Sequence, residues 1–241
     1  WGDRLVDISF ALHAGEVVGL GGLDGQGQRE LLLALFGVLR GTTGRVSIDG
    51  RPAAIGGPAD AKRGEIGMAL IPEDRKSEGL MLPMSVRDNL SFAALDRLSR
   101  WGVVDRAAER EAVDRIVELL AIRTDGTYVP AGSLSGGNQQ KLVLARELSR
   151  QPKALVAANP THGLDVGATE YVRRRILGVR EEGNTVVLVS QDLDELFELS
   201  DRILVLYRGR VLYEAPVDEV SMEQLSLAMA GTAPTGKVAA P

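Results

Sequence analysis

Cysteine is absent from all 241 residues. Disulfides, thiolate zinc sites, iron–sulfur clusters and cysteine nucleophiles are thereby excluded. Histidine is nearly absent too, with only His13 and His162, far apart in the chain. Neither a histidine-rich metal site nor a His-Glu-x-x-His metalloprotease helix can be built from them, and no metal ligand is assigned. Long apolar runs are also missing. The longest, Leu31 to Leu39, contains Gly37, whereas a membrane-spanning helix needs roughly 20 residues, so a soluble chain is expected. The N-terminus has no basic stretch leading into an apolar segment and a small-residue cleavage site, and secretion is not indicated. Positive charge is not in excess: 33 acids face 28 bases, which argues against a surface built for long nucleic acids and against a nucleic-acid partner. Glycine, by contrast, is abundant at 28 residues, about 12% against a usual share of about 7%, so the backbone needs many tight turns.

Trp1 opens the chain without an initiator methionine and runs straight into strand-like alternation, which reads as a fragment of a longer protein. Strands are predicted at Leu5 to Phe10, Glu16 to Leu20, Gly44 to Ile48 and Ile66 to Ile71, with turn signals at Ala14-Gly15 and Asp49-Gly50. The Leu31 to Leu39 run has helical length. From Ser85 to Ile122 the pattern is helical, with Val113, Ile116, Val117 and Leu120 on one face of a charged segment; a helical subdomain over about 80–150 is expected. Beyond it come a helix from about Asn138 to Leu148, a buried strand from Ala154 to Ala158, a helix over about Ala168 to Glu181 and a strand from Thr185 to Ser190. A helix over Leu193 to Leu199 and a hairpin of Ile203 to Tyr207 with Arg210 to Tyr213 follow. Strands alternating with helices imply an α/β fold whose parallel sheet is covered on both faces. One domain over 1–231 is expected, followed by a flexible tail over 232–241, rich in Ala, Pro, Gly and Thr.

Between the strand ending at Leu20 and the helix beginning near Glu30 lies Gly21-Gly22-Leu23-Asp24-Gly25-Gln26-Gly27. Glycines there let successive N–H groups converge on an anion at a positive helix end. The spacing fits Gly-x-x-x-x-Gly-Lys-Ser/Thr, but Gln28 stands for the lysine and Arg29 for the magnesium-binding hydroxyl. A neutral amide supplies no charge to phosphates, and a guanidinium does not ligate magnesium. Residues Gly22, Asp24, Gly25, Gly27, Gln28, Arg29 and Glu30 therefore form either a weakened nucleotide site or a relic turn. The apolar strand Ala154 to Ala158 leads to Asn159-Pro160-Thr161. Phosphate-loop ATPases place a magnesium-positioning aspartate and often a water-orienting glutamate there; Ala158 and Asn159 do neither job. Removing one transition-state group costs roughly 10²–10³-fold, so the loss of lysine, hydroxyl and both carboxylates leaves no useful turnover.

Leu134-Ser135-Gly136-Gly137-Asn138-Gln139-Gln140-Lys141 opens the next helix. A serine and two glycines at a helix mouth suit a phosphate arriving from outside, and equally suit a simple cap. Sequence order adds weight to the first reading. The glycine loop, Pro72-Glu73-Asp74-Arg75, Leu134 to Lys141, Pro160-Thr161-His162-Gly163-Leu164-Asp165 and Ser190-Gln191-Asp192, in this order, resemble the ATP-binding domain of ABC transporters over nearly the whole chain. More narrowly they look like the second ATPase domain of tandem importers of sugars and nucleosides. Ala157 to Thr161, Tyr171 to Arg175 and Asp201 to Ile203 look closest to nucleoside-type members.

The resemblance implies a phosphate-loop core with a mostly parallel sheet, an N-terminal antiparallel β subdomain and an α-helical signature subdomain. It implies ATP, with magnesium held mainly by the partner domain's site. Two ATPase domains would meet head to tail, with Leu134, Ser135, Gly136, Gly137, Asn138 and Gln139 closing on a nucleotide held by the first domain. Gly163, Leu164 and Asp165 would form the inter-domain loop, where Asp165 either communicates between sites or caps a helix. Pro72, Glu73, Asp74 and Arg75 would face the permease where many relatives carry a glutamine, and Gln191 stands where the family has a γ-phosphate-sensing histidine. His162 reads as a surface residue and not as that sensor. Met81 to Met84 would dock the permease or belong to the core. The implied partners are the first ATPase domain, membrane permease subunits and, indirectly, a substrate-binding protein, on the cytoplasmic face of the membrane. The leading expectation is a catalytically degenerate half of a nucleoside importer. The alternatives are an active ATPase domain of a monosaccharide importer and a nucleic-acid-linked ABC ATPase; against the latter stand the acidic balance and the room for only short helices between Ser85 and Ile122, where a long coiled-coil insertion would be needed.

Overall fold

The computed structural model describes residues 5–232; Trp1 and most of the expected tail lie outside the described residues. In chain order the elements are β1 (Val17–Gly21), α1 (Gln28–Leu35), β2 (Val46–Ile48), β3 (Arg51–Ala53), α2 (Pro58–Ala61), β4 (Met68–Ile71), α3 (Val86–Ser91), α4 (Leu95–Leu98), β5 (Ser99–Arg100), β6 (Val103–Val104), α5 (Arg106–Leu119), α6 (Gly136–Leu148), β7 (Ala154–Ala158), α7 (Val166–Glu181), β8 (Thr185–Val189), α8 (Leu193–Leu199), β9 (Arg202–Tyr207), β10 (Arg210–Pro216) and α9 (Met222–Met229). They divide into two compact units. One holds the described residues up to 70 together with 153–159 and those from 175 onward, the other 71–152 and 160–174.

The first unit is built on a six-stranded sheet of order β10-β9-β1-β8-β7-β4. Strand β1 pairs in parallel with β8 and β9, β7 pairs in parallel with β8, and β10 returns antiparallel to β9. Every residue of β1 and β8 is buried, the pattern of strands covered on both faces that their unbroken apolar runs foretell. Strands β2 and β3 form the antiparallel hairpin, closed by Asp49 and Gly50, both with positive φ, as a tight primed turn requires. The expected strand over Leu5 to Phe10 does not form. Leu5, Ile8, Phe10 and Leu12 pack against the sheet's core cluster, but Asp7 has φ of 49° and Val6 N–H donates to the Gly209 carbonyl, so apolar burial here comes without a strand ladder. Helix α9 was not expected, although Ser221 and Gln224 make a complete capping box at its start.

One guanidinium ties three segments of this unit together. Arg202, at the start of β9 and 14% exposed, grips both carboxylate oxygens of Glu16, pairs with Glu214 on β10 and donates to the Ala11 carbonyl. Burial raises the Glu16 carboxyl pKa, but the Arg202 fork and the His13 N–H outweigh it, and the net position is below the ordinary carboxylate value.

The second unit is mainly helical. Helix α5 buries Val113 on its inner face, and Leu120 just beyond its end is buried as well, as the spacing predicts, while Asp105 caps its start. The stretch from Ser85 to Ile122 is not all helix, however: β5 and β6 form a short hairpin between α4 and α5, turning at Trp101 and Gly102, both with positive φ.

Arg202→Ala should destabilise the chain by about 2 kcal/mol at pH 7, the usual worth of charge-assisted hydrogen bonds to a partly buried carboxylate. Because the folded-state pKa of Glu16 is lowered, this contribution is complete above the ordinary carboxylate range and fades as pH falls through the folded value. Urea unfolding at pH 7 and again below about pH 4 should show the gap between variant and wild type closing; equal midpoints at pH 7 would discredit the clamp.

Candidate functional site

Chemistry-bearing residues gather in two places, one in each unit. In the first unit the chain leaves β1 and turns through Gly22 to Gly27 before α1. Gly22 has φ of 148°, and a Cβ there would collide with the Gln28 amide and stand 2.7 Å from the Leu206 carbonyl. Only glycine passes so close to backbone. Gly27 enters α1 with φ of 112° and no side-chain cap. Asp24, Gly25 and Arg29 are exposed, while Gln28 and Glu30 are each 7% exposed. Gln28 turns inward: its Nε2 donates to the Leu23 carbonyl at 3.2 Å. An amide therefore occupies the interior of the loop.

Gln26, which the sequence reading passed over, pins the loop from outside. Its side-chain oxygen accepts from Arg208 N–H at 2.7 Å and its carbonyl accepts from Gly209 N–H at 2.9 Å. The sole sequence signal was the Arg-Gly turn between β9 and β10.

Below the loop, Ala158 ends β7 and is 6% exposed within an apolar cluster that includes Leu20, Leu31, Val156 and Val189. The next residue, Asn159, has φ of 43°, donates its N–H to the Val189 carbonyl at 2.8 Å and accepts from the Gln191 N–H at 3.0 Å. Asn159 and Gln191, expected at the places of a base and a γ-phosphate sensor, are thus joined through the Gln191 backbone N–H. Ser190, Asp192 and Glu195 hold that turn: Ser190 Oγ donates to Glu195 at 2.6 Å, and Asp192 caps α8.

In the second unit, Ser135 caps α6, its Oγ accepting from Asn138 Nδ2 at 2.9 Å and from Asn138 N–H. Three expected segments converge here. A Cβ on Gly136 would stand 3.0 Å from the Arg75 guanidinium, and one on Gly137 would stand 3.4 Å from the Asp165 carboxylate. Arg75 donates to the His162 carbonyl at 3.1 Å, so His162 contributes backbone. Asp165 accepts from Ala168 N–H and caps α7, and Gly163 supplies the turn before Leu164 with φ of 66°. Glu73 is exposed. Asp74 starts the wide helical turn at Arg75–Gly79 and lies below the ordinary aspartate value, chiefly through the Ser77 hydroxyl. Gln139 and Leu134 serve as framework: Gln139 is buried and donates to the Leu134 carbonyl at 3.1 Å. Lys141 donates to the Ala121 carbonyl over the ring of Tyr171, and its pKa is lowered by burial and then by the charge of Arg123.

Magnesium does not fit the first constellation. At the strand-end and hydroxyl positions stand a buried Ala158 and an exposed Arg29, the amide of Gln28 turns inward, and the carboxylate of the first turn of α1, Glu30, is buried; no group of three or more His, Asp or Glu suited to a metal exists among the described residues. Ala158→Asp should therefore place an unpaired carboxylate in the core and cost about 3 kcal/mol or more. An unchanged urea midpoint, with or without magnesium, would show that the position is not core.

A family model for the ABC transporter matches residues 5–162. A ribose import ATP-binding protein, RbsA 1, of Mesorhizobium japonicum is 57% identical over 93% of this chain and 44% of its own length. A xylose import ATP-binding protein, XylG, of Burkholderia ambifaria is 40% identical over 92% of this chain and 43% of its own. The chain thus spans less than half of these relatives. Among solved structures, the ATP-binding cassette MJ0796 in a dimeric post-hydrolysis state superposes with a TM-score of 0.74 at 21% identity, covering 89% of this chain and 90% of that one. An ATP-binding subunit of an ABC transporter superposes at 0.75 with 21% identity, covering 94% and 93%. The fold is that of ABC ATPases, with a mostly parallel central sheet, an antiparallel β region and a helical region, and the chain belongs to the ABC transporter family.

Proposed function

We propose that this chain is one ATP-binding half of a monosaccharide-import ATPase, the half that lends its signature to a partner domain's nucleotide while its own site stays inactive. The observation that carries this reading is the contrast between the two constellations. The phosphate-loop positions are filled by groups already satisfied within the unit: Gln28 by the Leu23 carbonyl, Asn159 by Gln191, Ala158 by apolar neighbours. The helix mouth at Ser135 keeps an exposed hydroxyl and two glycines in its first turn, with the Ser135 oxygen on the Asn138 N–H and the Arg75 and Asp165 side chains beside the glycines. A phosphate approaching from outside meets a positive helix end there.

In this reading the partners are a first ATPase domain, which holds ATP and its magnesium, permease subunits at the membrane and a substrate-binding protein beyond them. The domain works at the cytoplasmic face of the membrane; no helix among the described residues is long and apolar enough to cross it. The loop facing the permease is Pro72 to Arg75, of which Glu73 and Asp74 are exposed while Pro72 is buried and Arg75 turns onto the His162 carbonyl, with the exposed Met81, whose backbone N–H and carbonyl are both held by Asn89. The pentoses named in the relatives support ribose or a similar sugar as cargo; a nucleoside rests on the resemblance of Ala157 to Thr161, Tyr171 to Arg175 and Asp201 to Ile203.

Two measurements test the proposal. In the assembled two-domain ATPase, Ser135→Arg should lower ATP turnover by roughly 10²-fold or more. Calorimetry of the isolated chain with ATP should show at most weak binding that magnesium does not strengthen. Full turnover in the variant, or tight magnesium-dependent binding by the chain alone, would overturn it.

A further inference from the structure

The hairpin of β5 and β6 carries the most exposed large apolar side chain among the described residues. Trp101, at its tip, is 100% exposed, and Val103 beyond the turn is 71% exposed. The indole therefore packs on nothing within the chain. Its backbone is also strained: Trp101 has φ of 54° and Gly102 has φ of 79°, the pair of left-handed residues that a two-residue primed turn requires and that Asn-Gly supplies best. A bulky aromatic in the first of those places is a conformational outlier, and such strain persists chiefly where it serves function. We infer that the hairpin tip is an interfacial anchor, which seats the Trp101 indole among the headgroups of an anionic bilayer with the neighbouring arginines on the lipid phosphates. The inference draws on the proposed working place of the domain at the membrane and not on its signature role.

Three observations select this occupant. The first is charge. In a chain of net charge −5, residues 95–110 hold four arginines, Arg97, Arg100, Arg106 and Arg110, against three acids. All four arginines are exposed, and Arg100 directly precedes the tip. Two of the acids are engaged within the unit: Asp105 caps α5 through the N–H groups of Ala107 and Ala108, and Glu109 is 3% exposed and paired with Arg106. Each arginine held near an anionic lipid surface strengthens binding by about fivefold. The second observation is area. One indole and one valine offer at most a few hundred Å², whereas a stable protein–protein contact needs about 800 Å² from each side. A bilayer interface accepts an indole without a complementary surface, the ring lying at headgroup level with its N–H toward water. The third is attachment. Ser99 pairs with Val104, Arg100 pairs with Val103, and the Asp105 N–H donates to the Leu98 carbonyl at 2.8 Å. The tip is thus presented on a braced hairpin and has little freedom to lose on binding.

The chain has only two tryptophans, Trp1 and Trp101, so in a Trp1→Phe background the emission reports the tip alone. With phosphatidylcholine vesicles containing about one third phosphatidylglycerol, that emission should shift to the blue, and vesicles of phosphatidylcholine alone should bind about tenfold more weakly. Trp101→Asn, followed by co-sedimentation, should weaken binding to the anionic vesicles by about tenfold or more while its urea midpoint stays unchanged or rises, because asparagine suits the left-handed turn position. Arg100→Gln should weaken binding by about fivefold. An emission that keeps its position in water, equal binding by Trp101→Asn, or a fall in that variant's midpoint overturns the inference. Binding only to vesicles that carry the permease overturns it as well, since the tip then reads protein and not lipid. Neither ATP nor a partner domain enters these measurements, so their failure leaves the signature role to be judged by Ser135→Arg.

Discussion

The close approach of α8 to the backbone of β1 governs the site-bearing part of the first unit. At Gly19 a Cβ would collide with Ser200 Oγ and stand 3.1 Å from a Leu196 methyl, so the helix lies directly on the central strand. Any side chain at residue 19 would lift it. With α8 seated, its cap Asp192 and the buried Glu195 hold Ser190 and the turn through Gln191, and that turn delivers the Gln191 N–H to Asn159. The same strand releases the glycine loop at Gly21. Thus one missing methyl group decides both where the loop emerges and which residue faces the end of β7.

The two constellations differ in how their polar groups are satisfied, and this difference separates them functionally. In an interior of low dielectric, a polar group that has found its partner resists exchange. Gln28, Asn159 and Ser190 have internal partners, while Asp24, Gly25 and Arg29 of the loop stay exposed. At the helix mouth, Ser135 is exposed although its oxygen accepts from Asn138, and Arg123 and Asp125 nearby are exposed as well. Gln139 belongs to the signature by sequence and to the framework by geometry.

Strands β7 and β8 and helices α6 and α8 were legible because their apolar periods and caps are unambiguous: Ala154 to Ala158 is an unbroken buried run, and Ser135 and Asp192 announce helix starts. Residues 5–12 were misleading, since alternation reports burial on one face and says nothing about backbone pairing; Asp7, at positive φ, breaks the extended path. The β5–β6 hairpin was hidden inside a helical composition, because its signal is only the turn at Trp101 and Gly102. At the loop, the missing lysine and carboxylates could be read directly from Gln28, Ala158 and Asn159. The bond from Asn159 to Gln191, the clasp of Gln26 by residues 208 and 209, and the bond from Arg123 to Asn138 join residues 15 to 183 positions apart, and no local pattern encodes such pairings.

The inward Gln28 also changes what the chain requires of its surroundings. A lysine at the same buried position would bring a desolvated cation, and such a cation is stable only in the company of an anion. A fold of that kind gains stability whenever nucleotide binds and loses it when nucleotide is scarce, by simple mass action. An amide closed on the Leu23 carbonyl carries no charge to compensate. In the proposed reading, the fold of the glycine loop therefore holds no buried cation whose stability would rise and fall with the supply of nucleotide.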